Sequence, residues 1–369
     1  MTTLQEGILK REEKILFALR ALYRGAGYAQ YKMRKFEEYD LYAGNKDFLV
    51  SGRVITFPDT DGKLLALKPD VTLSIVRSGR DEPGTAQKVY YQENVYRVAG
   101  YSRDFREIMQ AGIECIGEVD DCQLAEVLWL SMKSLGCVST DSVLALSHLG
   151  AAERLMREAG LSEKARRQAF GFLAGKSAHE LYALCEAEHT APGAAQKLAE
   201  LSGLSGAPED VLPGLYALGC GPEADELGRL SRALSATDVY PMLRLDFSVV
   251  NDPGYYNGLV FQGYVQGIPE RVISGGQYDR LMRKMERSAR AVGFAVYLDT
   301  LERLETASPY DADVLLLYGE DTDPGALLEA LKTLRQEGLS VCAQRIRPPK
   351  RRYARTAVLL KSGEVRYEG

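Results

Sequence analysis

The sequence is poor in the residues that build metal and redox sites. Its 369 residues hold three histidines, His148, His179 and His189, too scattered for a zinc set. Six cysteines, Cys115, Cys122, Cys137, Cys185, Cys220 and Cys342, include no CxxC pair, so free thiols in a reducing cytoplasm are expected. The opening MTTLQEGILKREEKILFALR carries charge throughout and has no apolar signal core. No stretch is apolar for long enough to suggest a membrane span. The GxGxxG and P-loop phosphate motifs are absent. Net charge is −5, with no global bias toward nucleic acid or anionic membrane. Metal and cofactor are therefore both expected to be none. At 46% hydrophobic and 26% charged, the composition is that of an ordinary soluble protein long enough for two or three domains.

Periodicity divides the chain. Residues 4–24 read as an amphipathic helix with Ile15, Leu19 and Leu22 on one face, stopped by Gly25 and Gly27. FLVSGRVITF and KLLALK flank the turn PDTDGK as a hairpin. KVYYQENVYRV and FREIMQAGIECIG are two further strands, residues 120–136 a second helix, and SVLALSHLG a strand. From about 150 to 238 the texture becomes Ala-, Leu-, Glu- and Arg-rich, a helical insert. Strand alternation returns at Leu243, Leu245, Phe247 and Val249. SGGQYD then reads as a glycine turn, followed by a helix and a strand-to-helix unit, AVGFAVYLDTLERL. Past about residue 309, a strand, a helix and two strands form a small separate α/β unit. The expected domains are 1–308, with the insert inside it, and 309–369. The expected class is α+β, an antiparallel sheet flanked by helices.

Four stretches carry polar groups where strands end. In LKPDVTLSIVR, Asp70 and Thr72 precede a helix, as a cap for its free amides or as the mouth of a pocket. In YRVAGYSRDFREIMQAGIE the notable residues are Arg97, Arg103, Arg106, Gln110 and Glu114. Gln110, Gly112 and Glu114 share one strand face, either an outward polar face or an acid and amide able to hold an ammonium group. NDPGYYNGLVFQGY sets Tyr255 and Tyr256 beside an Asn-Gly turn, where adjacent strand tyrosines would straddle the sheet. ISGGQYD is a glycine turn or a gap for a ligand under Tyr278.

In their order, these stretches and VGFAxxLDxL resemble histidyl-tRNA synthetase across about 300 residues. The resemblance implies the class II aminoacyl-tRNA synthetase fold and a histidine pocket. Asp70, Thr72, Arg97, Gln110, Glu114, Tyr255, Tyr256 and Tyr278 would line it. Gln110 and Glu114 would take the α-amino group and the tyrosines the imidazole side.

The departures from the family pattern are as informative. The family's Arg-x-Glu is Arg97-Val98-Ala99 here, RGLDYY becomes NDPGYY with Asn251 and Gly254 at the charged positions, and the GLER arginine becomes Thr300. Adenylation needs fixed cations around the reacting phosphate; Arg97 survives, but two of the three arginines and a carboxylate are lost, which should remove that stabilisation. A shell that keeps the amino-acid pocket and loses ATP chemistry is similar to the regulatory subunits of ATP phosphoribosyltransferase. That resemblance implies a non-catalytic, cytoplasmic protein. It would join the short catalytic subunit in a hetero-octamer, activate it, and mediate histidine feedback in histidine biosynthesis. A working synthetase, or another class II synthetase paralogue with ATP-dependent amino-acid activation, is the alternative; for a synthetase the basic run RIRPPKRRYAR (345–355) would be a phosphate patch rather than a solvated loop or a surface for an acidic partner. Nucleic acid and membrane are not expected as partners. A self-dimer is expected, with Phe36, Tyr39, Leu41 and Tyr42 as its apolar centre or as ordinary core.

Overall fold

The computed structural model describes residues 9–45, 49, 54–98, 104–251, 253–304 and 309–368. Contacts divide the chain into two compact units, 1–304 and 305–369. The first is built on a nine-stranded sheet. Its strands are β1 (Ala29–Gln30), β5 (Ala86–Val98), β6 (Phe105–Gly117), β7 (Ser142–His148), β8 (Ser205–Gly206), β9 (Leu243–Asp246), β10 (Leu259–Val265), β11 (Ile273–Gln277) and β12 (Arg290–Tyr297). They lie in the order β1-β5-β6-β12-β11-β10-β7-β9-β8. The sheet is antiparallel from β5 through to β7 and at β8–β9, but β1 runs parallel to β5 and β9 parallel to β7. A smaller sheet joins β2 (Phe36–Glu38), β3 (Thr56–Pro58) and β4 (Leu64–Leu67) in the order β2-β4-β3.

Strand alternation sorts side chains between two cores. On β6, Ala111, Ile113 and Cys115 enter the larger core, beneath α1 (Arg11–Gly25) and α4 (Asp121–Val138). Helix α1 buries Ile15, Leu19 and Tyr23, and the Tyr23 hydroxyl meets Ser134 Oγ on α4 at 2.9 Å. The Asp120 carboxylate accepts from the Cys122 and Gln123 amides and so starts α4. Gln110, Gly112 and Glu114 face the opposite side. There a second core gathers Tyr91, Tyr255 and Tyr278 with residues of α2 (Tyr39–Ala43), α3 (Thr72–Ser78) and α11 (Asp279–Lys284). Six helices follow β7: α5 (Leu149–Glu158), α6 (Glu163–Ala174), α7 (Ala178–Ala187), α8 (Ala194–Gly203), α9 (Pro208–Ala217) and α10 (Gly221–Leu234).

Several expectations are corrected. Helix α1 begins at Arg11, and residues 4–8 of the expected helix lie outside the described residues. In the hairpin around PDTDGK the described strands are only Thr56–Pro58 and Leu64–Leu67, and residues 48 and 50–53 of its first arm lie outside the described residues. SGGQ is a buried strand, not a turn: a Cβ on Gly275 would come within 2.5 Å of Phe294 Cβ, so the glycines let neighbouring strands and rings approach. Leu41 and Tyr42 are buried within the subunit and belong to its own second core, so they cannot centre an interface.

The second unit has a four-stranded sheet, β14-β13-β15-β16. Its strands are β13 (Ala312–Leu317), β14 (Val341–Gln344), β15 (Tyr353–Leu359) and β16 (Val365–Tyr367), with helix α12 (Pro324–Gln336). The Asp323 carboxylate caps α12 through the Ala326 amide, and Pro324 occupies a position where no amide is needed.

Candidate functional site

All eight residues singled out from sequence line one cavity of about 60 Å3 on the second-core face of the large sheet. They come from separate elements: Asp70 from the β4–α3 connection, Thr72 from α3, Arg97 from β5, Gln110 and Glu114 from β6, Tyr255 and Tyr256 from the turn before β10, and Tyr278 from the start of α11. The tyrosine pair does not straddle the sheet, because that turn is not a strand. Both rings line the cavity, 4.6 Å apart between centroids, with Tyr278 5.8 Å from Tyr255.

Glu114 is the floor. It is 2% exposed, and its two oxygens accept from Thr72 Oγ1 and the Tyr278 hydroxyl, each at 2.6 Å. Burial pushes its carboxyl up to about 8, against the lowering effect of those two hydrogen bonds, and the charge of nearby Asp70 raises it further. Burial also raises the Asp70 carboxyl, opposed by the Leu73 amide it accepts from at 2.9 Å and by Arg97. Asp70 therefore caps α3 and lines the pocket at once. Arg97 donates from Nε to the Pro69 carbonyl at 3.1 Å, which anchors its guanidinium beside Asp70. Gln110 Nε2 is buried with no hydrogen-bond partner. Burial holds the hydroxyls of Tyr91, Tyr255, Tyr256 and Tyr278 neutral, well above their ordinary value.

The ladder explains the glycines. Gly293 lies opposite Glu114 across β12–β6, and a Cβ there would fall 1.8 Å from Glu114 Oε2. At Gly112 a Cβ would meet the Tyr91 hydroxyl at 2.6 Å. Tyr91, Ser274 and Tyr297 also line the cavity, unnamed by the sequence reading. For Tyr91 the signal was there, since it pairs with Gly112 in the β5–β6 register. Arg106 is exposed and outside the lining, while Arg103 and Ala99 lie outside the described residues.

Two of the positions that depart from the synthetase pattern, Asn251 and Thr300, have become scaffold. Buried Asn251 donates to the Gly275 and Phe261 carbonyls at 2.9 and 3.3 Å and accepts from Gln262 at 2.5 Å. Thr300 donates to the Tyr297 carbonyl at 2.7 Å. Neither lines the cavity, so neither offers a cation to a phosphate there. Among the described residues no cluster of three His, Cys, Asp or Glu side chains could hold a metal, and no helix is long and apolar enough to cross a membrane.

Residues 3–301 match the histidyl-tRNA synthetase family profile. The ATP phosphoribosyltransferase regulatory subunit of Geobacter metallireducens is 30% identical over 304 residues, covering 78% of this chain and 69% of that protein. Its counterpart from Oceanobacillus iheyensis is 26% identical over 354 residues, covering 93% and 86%. Among solved structures, an ATP phosphoribosyltransferase regulatory subunit/histidyl-tRNA synthetase from Bacillus halodurans superposes with a TM-score of 0.75 at 23% identity, covering 97% of this chain and 96% of that one. A chain of the ATP phosphoribosyl transferase complex from Thermotoga maritima gives 0.61 at 18% identity, covering 78% and 97%. At those identities the two structures speak to the fold.

Proposed function

This chain belongs to the histidyl-tRNA synthetase family and within it is a non-catalytic regulatory subunit of ATP phosphoribosyltransferase; on that premise we propose that it binds free histidine in the Glu114 pocket and passes that occupancy to the catalytic subunit as feedback. The observation that carries the reading is the convergence of Asp70, Thr72, Arg97, Gln110, Glu114 and the tyrosines on one buried cavity. An ammonium group set beside Asp70 and Glu114 restores their charged forms. Arg97 suits the ligand's carboxylate. The unpartnered Gln110 Nε2 is a donor, so it suits a carboxylate oxygen or a ring nitrogen better than an ammonium. Aromatic faces and neutral tyrosine hydroxyls suit an imidazole.

The same proposal extends to assembly. The chain pairs with itself and with a short catalytic subunit in a hetero-octamer in the cytoplasm. Histidine and the catalytic subunit's substrates then oppose each other by equal factors, as binding linkage requires.

The test is histidine inhibition of the reconstituted complex. Tyr256→Ala should weaken inhibition by about tenfold, as loss of a half-buried ring packed against Tyr255 and lining the cavity does. Unchanged inhibition would move the regulatory site elsewhere. The isolated chain should show no histidine-dependent ATP–pyrophosphate exchange, and measurable exchange would favour the synthetase alternative.

A further inference from the structure

A second, larger cavity of about 1150 Å3 shares no lining residue with the first. Three helix faces converge on it. Helix α6 presents Glu163, Arg166, Arg167, Phe170 and Ala174 at helical spacing, α5 presents Glu153 and Arg157, and α11 presents Arg280 and Lys284. Val250 and Pro253 add apolar surface just before the double tyrosine.

Among the described residues five cations and two carboxylates line the cavity, and Lys284 is engaged in an interaction of its own, which leaves Arg157 and Arg166 beyond the two matched pairs. Both carboxylates are already matched, Glu163 by Arg167 at 2.5 Å and Glu153 by Arg280, which also donates to the Pro253 carbonyl at 2.5 Å. Arg166 has its Nε buried with no hydrogen-bond partner. Arg157, one helix over, donates from Nε to its own helix at the Glu153 carbonyl, 3.3 Å away. A monocarboxylate would answer only one of these two guanidiniums, whereas a chain of phosphates answers both and fits guanidinium forks. Phe170, Val250 and Pro253 supply an apolar wall suited to a planar base. A nucleic-acid strand calls instead for a basic track along many phosphates, and here the cations surround one cavity.

We propose that this cleft between α5, α6 and α11 binds a polyphosphate-bearing small molecule of the nucleotide class. The site lies on the regulatory chain itself, apart from the amino-acid pocket.

The test uses the full chain without the catalytic subunit, titrated calorimetrically with ATP and with inorganic tripolyphosphate. Both should bind, ATP more tightly because only it uses the apolar wall. Arg157→Gln with Arg166→Gln should weaken both by about tenfold or more, as loss of charge-assisted hydrogen bonds does. Arg157→Gln alone, at an exposed position, should weaken both in part and serves as the second variant should the pair lower stability. Tyr256→Ala, in the other pocket, should leave both affinities unchanged. No binding of either probe at millimolar concentration overturns the proposal. So does equal affinity in the double variant, or binding of an RNA oligonucleotide with neither small probe bound.

Discussion

Glu114 shows how a single side chain ties stability, ligand and pH together. Its carboxyl sits at about 8 in the folded chain against an ordinary 4.5. Between those values the native state holds a proton that the unfolded chain has released, so stability falls as pH rises through that window. Asp70, also raised by burial, acts in the same direction. At about one and a third kcal/mol per unit, the penalty is on the order of a few kcal/mol above about pH 8. Glu114→Gln removes the titration. Its melting temperature should therefore decline less from about pH 5 to about pH 8.5 than that of the unaltered chain. Parallel decline in both proteins would mean that Glu114 is ionised throughout. A ligand ammonium reverses the logic, because it favours the charged carboxylate. Histidine should bind more tightly as pH rises toward about 8, releasing a proton that calorimetry in buffers of different ionisation enthalpy can count. Sequence alone supplied Glu114, Gln110 and the tyrosines as candidates. It could not supply the buried, doubly hydrogen-bonded state of Glu114, since Thr72 and Tyr278 reach it from positions 42 and 164 residues away.

At the scale of elements, strands β5 and β6 were legible because β-branched and aromatic residues, Val89, Tyr90, Tyr91, Val95 and Tyr96 on one and Ile108, Ile113 and Ile116 on the other, favour extended chain. The SGGQ strand was not, because paired glycines carry the local signature of a turn and only their neighbours, Phe261 and Phe294, reveal why a strand needs them. The two-residue strands β1 and β8 were too short to leave any pattern, and with β1 went one of the sheet's two parallel pairings. Glycine roles can be separated by experiment. Gly112→Ala on β6 forces a methyl into Tyr91 and the Phe294 carbonyl, which lies 2.2 Å from the Cβ position. It should cost about 1–3 kcal/mol and abolish histidine binding. Gly136 on α4 has no atom within 4 Å of its Cβ position, so Gly136→Ala should stabilise the chain by about 0.5–1 kcal/mol and leave binding intact. Denaturant midpoints moving in opposite directions would bear this out. A neutral Gly112→Ala would show that β6 and β12 can part without cost.

At the scale of the whole molecule, the order of motifs carried the fold further than any single motif, since each local signal also had an ordinary structural explanation. The expected self-dimer is the case where burial separates two roles that sequence had left together. Leu41 and Tyr42 pack inside the subunit, but Phe36 remains 49% exposed, its ring edge-on to Phe57 at 5.2 Å. Pairing of β2, β4 and β3 puts Phe36, Phe57, Leu65 and Leu67 on one face of the small sheet, by alternation from registers Phe36↔Leu67 and Phe57↔Leu65. Glu37 points the other way and is held by Ser74 and Arg77. An apolar sheet face of this kind is suited to a second copy of the chain, with charged residues such as Glu38 at its rim. Phe36→Glu with Phe57→Glu should therefore give a monomer by light scattering with an unchanged melting temperature, and a chain that no longer activates the catalytic subunit. Leu41→Glu should instead lower the melting temperature sharply, because it buries an unpaired charge in the second core. A Phe36, Phe57 variant that still dimerises would place self-association on another surface. A Leu41 variant that folds normally and becomes monomeric would restore that residue to the interface and overturn its assignment to the core.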